Sequence, residues 1–163
     1  MFESNAGVMA CPLSYTKEGL EMQIGTNHFG HFALTIGLLS SLKEAAKLTG
    51  KKSRIINVSS LAHVRSDVDF SDMHFKNREY EPWTSYGQSK TANILFSVGL
   101  NSRYESEGII SYALHPGVIF TRLSRHMGEK EREEFSKNYQ NFKTPEQGAA
   151  TTIFAGTFFF EYI

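Results

Sequence analysis

Apolar residues along the chain fall into blocks of two different periods. Over residues 16–49, Leu20, Ile24, Phe29, Phe32, Leu34, Leu38, Leu39 and Leu42 recur at mostly three- and four-residue steps, which predicts a long helix. Thr16 with Gly19-Leu20 suggests its start and Gly50 its stop. Arg54-Ile55-Ile56-Asn57-Val58-Ser59 is a short β-branched run between polar flanks, the pattern of a buried parallel strand. Residues 62–84 are polar and aperiodic, with Pro82 near the end, and read as a long surface loop. Residues 85–106 return to the helical period through Ile94, Phe96, Val98 and Leu100. Gly108 to Leu114 predicts a second strand, ending at His115-Pro116-Gly117. Thr144 as N-cap and Pro145 in the first turn open a third helix.

Helices alternating with strands in this way predict an α/β fold with a parallel sheet built from crossover units. Ligands bind such sheets beyond the carboxyl ends of the strands. Ser59 and Ser60 close the first predicted strand, and Pro116 and Gly117 close the second. The length of 163 residues suits one core. Hydrophobic residues at 40% and charged residues at 21% are ordinary for a globular chain.

The formal net charge is zero, so nothing points to nucleic acid or an anionic membrane surface. No apolar run approaches the roughly 20 residues of a membrane span, and residues 1–12 lack the basic start and apolar centre of a signal peptide. Phe158-Phe159-Phe160 reads as a core segment or an out-of-context tail. Asn57-Val58-Ser59 matches the glycosylation pattern but lies within the strand-like run. Cys11 is the only cysteine, so an internal disulfide is impossible; this fits a reducing compartment, and the expected location is cytoplasmic. The run Glu129 to Glu134 is expected to be a solvated helix face. His28 and His31 stand three apart without an acidic or cysteine partner at a telling spacing. They are expected to be structural, and no metal site is expected.

Tyr86 and Lys90 in Tyr-Gly-Gln-Ser-Lys are four apart and share one helix face. A tyrosine near its usual pKa of about 10 is a poor base at neutral pH. Bringing it near 7 takes roughly 4 kcal/mol of differential stabilisation, and a neighbouring cation acts in that direction. A pair of this kind suits general acid–base chemistry. Alone it is a weak signal, equally well met by a surface tyrosine beside a surface lysine.

Four further features accompany it in order: Ser4-Asn5-Ala6-Gly7, Thr26-Asn27-His28-Phe29-Gly30, Asn57-Val58-Ser59-Ser60, and His115-Pro116-Gly117 followed by Thr121. Together the set, over about residues 4–155, resembles the short-chain dehydrogenase/reductase family, nearest to its retinol-dehydrogenase-like and WW-domain-oxidoreductase-like branch. The resemblance implies part of a Rossmann-type, doubly wound parallel sheet. Residues 1–163 would form one partial domain, with a loop at 64–84 and a substrate-side segment at 121–143. It implies an NAD(P)-dependent oxidoreductase that interconverts a carbonyl and an alcohol, on a lipophilic, retinoid- or steroid-like small molecule. NADP is favoured over NAD.

Carried over by position, the resemblance makes Tyr86 the proton donor or acceptor, and gives Lys90 two tasks: lowering the pKa of Tyr86 and hydrogen-bonding the nicotinamide ribose. Ser60 would hold the substrate oxygen, with Ser59 as the alternative if the register is off by one. Asn27 would orient a water linking Lys90 to solvent. Pro116, Gly117 and Thr121 would lie along the nicotinamide, and Asn5, Ala6 and Gly7 beside the adenosine half. The helices near 16–49 and 85–106 would pair with a second subunit as a homodimer.

The sequence also departs from the family pattern. No Gly-x-Gly occurs among 13 glycines, and Ser4 replaces the first asparagine of Asn-Asn-Ala-Gly. The first strands and the glycine-rich, phosphate-binding turn are missing, as is the residue that selects NAD or NADP. After Gly156 the chain lacks the family's final strand. The expectation is an unpaired sheet edge, very weak cofactor binding and little or no turnover by residues 1–163 alone. A non-catalytic fragment that acts by association, and an incomplete gene model, stand as the alternatives.

Overall fold

A computed structural model describes residues 1–139 and 141–158. Three parallel strands, β1 (Phe2–Ser4), β2 (Ser53–Val58) and β3 (Ile109–Leu114), lie side by side in chain order. Ser4 pairs with Asn57 and Val58 with Leu114, so all three carboxyl ends meet at one edge of the sheet.

Strand alternation determines which face each helix covers. The odd-numbered residues of β2 face α2 (Gly30–Thr49) and α3 (Pro82–Tyr104): Ser53 Oγ donates to the Leu42 carbonyl at 2.7 Å, and Asn57 Nδ2 to Ser97 Oγ at 2.8 Å. On the even side, Arg54 donates to the Gly156 carbonyl of α5 (Pro145–Thr157) at 2.8 Å. The sheet is therefore covered on both faces, as a doubly wound α/β fold requires. Leu39, Ile55, Phe96, Leu100 and Ile109 form the core between sheet and helices, with Phe2 packed against them.

The helix predicted over 16–49 starts later. Residues 16–20 form a turn with Gly19 at φ +82°, and Glu21 caps the helix, its carboxylate accepting from Gln23 N and Ile24 N at 3.0 Å. α1 (Met22–Ile24) then passes through a π turn (Gly25–Phe29) into α2. The apolar period misplaced the start because Leu20 falls in register with Ile24. The predicted 62–84 loop is also shorter. Leu61–Arg65 is a 3₁₀ helix, and Pro82 opens α3 as its first-turn proline, with the Glu81 carboxylate as cap.

Within 121–143, a 3₁₀ turn (Arg122–His126) precedes α4 (Glu129–Asn138), whose side chains are exposed or half-buried, as a charged run predicts. Thr144 and Gln147 form the reciprocal cap of α5. Asn57 is 1% exposed and bonded to Ser97 and Ser111, a setting closed to a glycan. Phe158 is exposed, and Phe159-Phe160 lie outside the described residues. No helix among the described residues is long and apolar enough to cross a membrane. Among those residues, no strand pairs with the outer edge of β1.

Candidate active site

The three segments that leave the strands' carboxyl ends converge on one cleft of about 970 Å³. Asn5 and Gly7 line it after β1, Ser59 and Ser60 after β2, and His115 to Gly117 with Thr121 after β3, while Tyr86 and Lys90 enter from α3. This is the sheet edge where an α/β fold places its ligand.

Tyr86 is 3% exposed, and burial pushes its phenol up to about 12, with a hydrogen bond from the Ser60 side chain pulling the other way. Its ring meets Trp83 edge-on at 6.0 Å. Lys90 is 5% exposed, and burial lowers its ammonium to about 8. Its Nζ donates to the Val58 carbonyl at 2.9 Å and lies 5.5 Å from the centre of the Tyr86 ring. The expected depression of the tyrosine by Lys90 is thus not the dominant effect in this chain. Loss of hydration raises the phenol, while the ammonium is held against the end of β2.

The two adjacent serines face different ways. Ser59 Oγ donates to the Lys90 carbonyl at 2.8 Å and anchors β2 to α3. Ser60 reaches Tyr86 and also accepts from Ala62 N at 3.1 Å, capping the 3₁₀ helix. Ser60 is therefore the serine that meets the tyrosine.

Asn27 is fully buried in the π turn. Its side chain exchanges two 2.9 Å bonds with the Val8 backbone and donates to Ser89 Oγ at 2.9 Å. This ties the segment after β1 to the helix that carries Tyr86 and Lys90. Gly7 permits the approach, since a Cβ there would stand 3.1 Å from Asn27 Oδ1. Gly117, at φ +94°, turns the chain below the cleft. Thr121 is exposed and caps the next turn, accepting from Leu123 N at 3.2 Å; Asn5 and Ala6 are exposed.

Sequence reasoning passed over several residues that build the site. Gln88, fully buried, accepts from Asp69 N at 3.1 Å and donates to the Met73 carbonyl at 2.9 Å, fastening the loop after the 3₁₀ helix. Trp83 stacks on Phe135 of α4 and donates to Glu131 at 2.6 Å, which walls the cleft on the side of α4. Gly87 permits close packing: a Cβ there would stand 2.6 Å from the Ala62 carbonyl. We expect Gly87→Ala to cost about 1–3 kcal/mol in denaturant unfolding and to push Ser60 away from Tyr86. An unchanged unfolding midpoint would count against this packing.

His28 bonds Asn93 Oδ1 at 3.2 Å, and His31 bonds the Asn27 carbonyl at 2.9 Å. Among the described residues, no group of three or more His, Cys, Asp or Glu is placed to hold a metal ion.

A parallel sheet with helices on both faces, and buried Tyr86 and Lys90 with half-buried Ser60 at its carboxyl edge, define the class of Rossmann-like doubly wound α/β domains. The short chain dehydrogenase family model matches residues 1–132. A Streptomyces lividans protein named "Probable oxidoreductase" is 45% identical over 159 residues, covering 92% of this chain and 52% of its own length. Human retinol dehydrogenase 13 is 50% identical over 125 residues, covering 77% of this chain and 36% of its own. Among solved structures, a Pseudomonas aeruginosa RhlG/NADP active-site complex superposes with a TM-score of 0.69 at 26% identity, covering 95% of this chain and 58% of that one. The chain belongs to the short-chain dehydrogenase family. It spans about half the length of the Streptomyces relative it matches.

Proposed function

We propose that this chain carries the acid–base centre of an NAD(P)-dependent oxidoreductase that interconverts a lipophilic ketone or aldehyde with its alcohol. The observation that carries the reading is the buried Tyr86 hydroxyl beside Ser60, with Lys90 behind it, at the carboxyl edge of the sheet. NAD(P), when bound, supplies or accepts the hydride. Pro116, Gly117 and Thr121 would lie along its nicotinamide and Lys90 along the adjoining ribose. Asn5, Ala6 and Gly7 would reach towards the adenosine half. The described residues fit the nicotinamide end of this cofactor; a glycine-rich phosphate cradle is not among them.

In reduction, the Ser60 hydroxyl holds the carbonyl oxygen, and Tyr86 Oη gives it a proton as negative charge develops there. A phenol held near 12 rests protonated, which suits the donor role. Lys90 stabilises the phenolate left behind, and Asn27 holds the segment after β1 against the helix. Trp83, Leu123 and Phe135 give the substrate side an apolar wall, which supports a lipophilic substrate. Pairing with a second copy through α2 and α3 is supported by exposed Phe32, Leu34, Leu95 and Val98. Sedimentation equilibrium should then give twice the chain mass, and Val98→Asp should return it to the single-chain mass.

The direct test is to graft residues 1–163 in place of the matching segment of the Streptomyces lividans relative. Loss of NADPH or NADH absorbance is then followed with a panel of lipophilic aldehydes and ketones. Turnover above a Tyr86→Phe graft supports the reading, and a folded graft with no turnover on any member of the panel rejects it.

A further inference from the structure

We propose that the site takes a lipophilic carbonyl compound with a carboxylate at its far end, and that Arg65 is the partner of that carboxylate. The inference rests on the reading of Ser60 and Tyr86 as the carbonyl end of the site, and it adds the substrate's other end. The 3₁₀ helix Leu61–Arg65 sets the length of such a molecule. Ser60 caps its start, Leu61, Ala62 and Val64 line the cleft along it, and Arg65 lines the cleft at its finish. At the usual rise of such a helix, its two ends stand about 10 Å apart along the axis. Hydroxyl, apolar strip and cation follow in the order that an oxo-acid requires.

Arg65 is exposed, yet its base and its head are both held. A Cβ on Gly87 would stand 3.2 Å from Arg65 Cβ, so the side chain sets out against α3. Thr91 Oγ1 donates to the His63 and Ser66 carbonyls at 3.0 and 2.7 Å, which pins the backbone on either side of Arg65. The guanidinium lies over the Trp83 ring, 5.3 Å from its centre, and Trp83 is part of the cleft wall. A guanidinium whose face meets an indole keeps its edge N–H groups for a carboxylate, which it can bind through two parallel bonds.

The charges around the cleft favour an anion. Over the whole chain Lys and Arg match Asp and Glu at 17 each, whereas the lining holds Arg65, Lys90, Arg122 and Arg125 against Glu3 alone. Among the described residues, none of these three arginines forms an ion pair. Two carboxylates stand near Trp83. Glu81 lies within reach of the Arg65 charge, but its oxygens accept from Trp83 N and Thr84 N at the start of α3. Glu131 accepts from Trp83 Nε1 and Gly128 N. Arg122 follows Thr121, on the side where the cofactor would lie, so the carboxylate is assigned to Arg65.

Trp83 is the only tryptophan, so its fluorescence reports this wall of the cleft alone. Decanoate and decanol are titrated against it in the 163-residue chain. Arg65→Gln should lower the affinity for decanoate relative to that for decanol by about three- to tenfold, the worth of a partly exposed ion pair. Raised salt should lower the same ratio. Arg103→Gln, which removes an exposed charge from the last turn of α3, should not. In the grafted enzyme, Arg65→Gln should lower the ratio of kcat/KM for ω-oxodecanoate to that for its methyl ester by the same factor, through KM. An unchanged ratio in folded Arg65→Gln, in either measurement, overturns the proposal. Pyrophosphate that displaces decanoate with the same dependence on Arg65 gives the arginine to a cofactor phosphate and overturns it as well. Should Arg65→Gln fail to fold, the salt dependence of the decanoate-to-decanol ratio in the unaltered chain decides. A graft inert on every carbonyl compound rejects the oxidoreductase reading, while the fluorescence titration still decides the carboxylate site.

Discussion

Tyr86→Phe should lower kcat of the grafted enzyme by about 10² to 10⁴-fold, the usual share of a general acid, while leaving its stability within about 1 kcal/mol. That loss corresponds to roughly 3–5 kcal/mol of transition-state stabilisation. Phenylalanine keeps the ring against Trp83, Met9 and Met127 and removes only the hydroxyl that meets Ser60. KM should change little, because the lost interaction matters most as charge develops on the substrate oxygen. Two serine variants sharpen the result. Ser60→Ala should lower kcat, since its side chain meets the phenol. Ser59→Ala should lower stability instead, since its hydroxyl is committed to the Lys90 carbonyl. A Tyr86→Phe graft with unchanged kcat would remove the tyrosine from the chemistry, and a larger kcat loss from Ser59→Ala than from Ser60→Ala would move the serine's role to Ser59.

These variants also show how far the sequence could be read. β2, β3 and α3 were legible because local period and β-branching carry them, whereas β1 is only three residues long and carries no such run. The order of five motifs pointed to one sheet edge, and that is where Asn5, Gly7, Ser59, Ser60 and His115 to Gly117 converge. What sequence could not give was set by contacts distant along the chain. Nothing local separates Ser59 from Ser60; the strand ends at Val58, and the next residue turns towards α3. The π turn at Gly25–Phe29 has no compositional mark, yet it positions Asn27 and His31.

Gln88 carries no local signal of its role, because its partners, Asp69 and Met73, lie 19 and 15 residues away. α2 misled in another way. Phe32, Leu34 and Ile36 stand exposed beside buried Leu39, so apolar spacing alone did not identify the inward face. The Tyr86 pKa was missed for a physical reason as well. Spacing shows that a cation stands near, whereas the burial that raises the phenol belongs to the folded chain.

The opposed shifts of Lys90 and Tyr86 give the second large expectation, a rise of stability with pH on the alkaline side of neutrality. Lys90 titrates at about 8 when folded and at its ordinary 10.5 when unfolded. Between those values the unfolded chain holds the extra proton, so stability increases as pH rises, by up to about 3 kcal/mol for a fully buried site. Tyr86 acts in the opposite sense and at higher pH. Its folded value near 12 lies above the ordinary 10, so from about 10 upwards the folded chain holds the extra proton and stability falls. Urea midpoints should therefore climb from pH 7.5 to about 10 and then turn down. Lys90→Met should flatten the climb and Tyr86→Phe should remove the downturn. A wild-type profile that falls steadily across this range, or a climb that persists in folded Lys90→Met, would show that the ammonium is better hydrated than its place against the Val58 carbonyl implies.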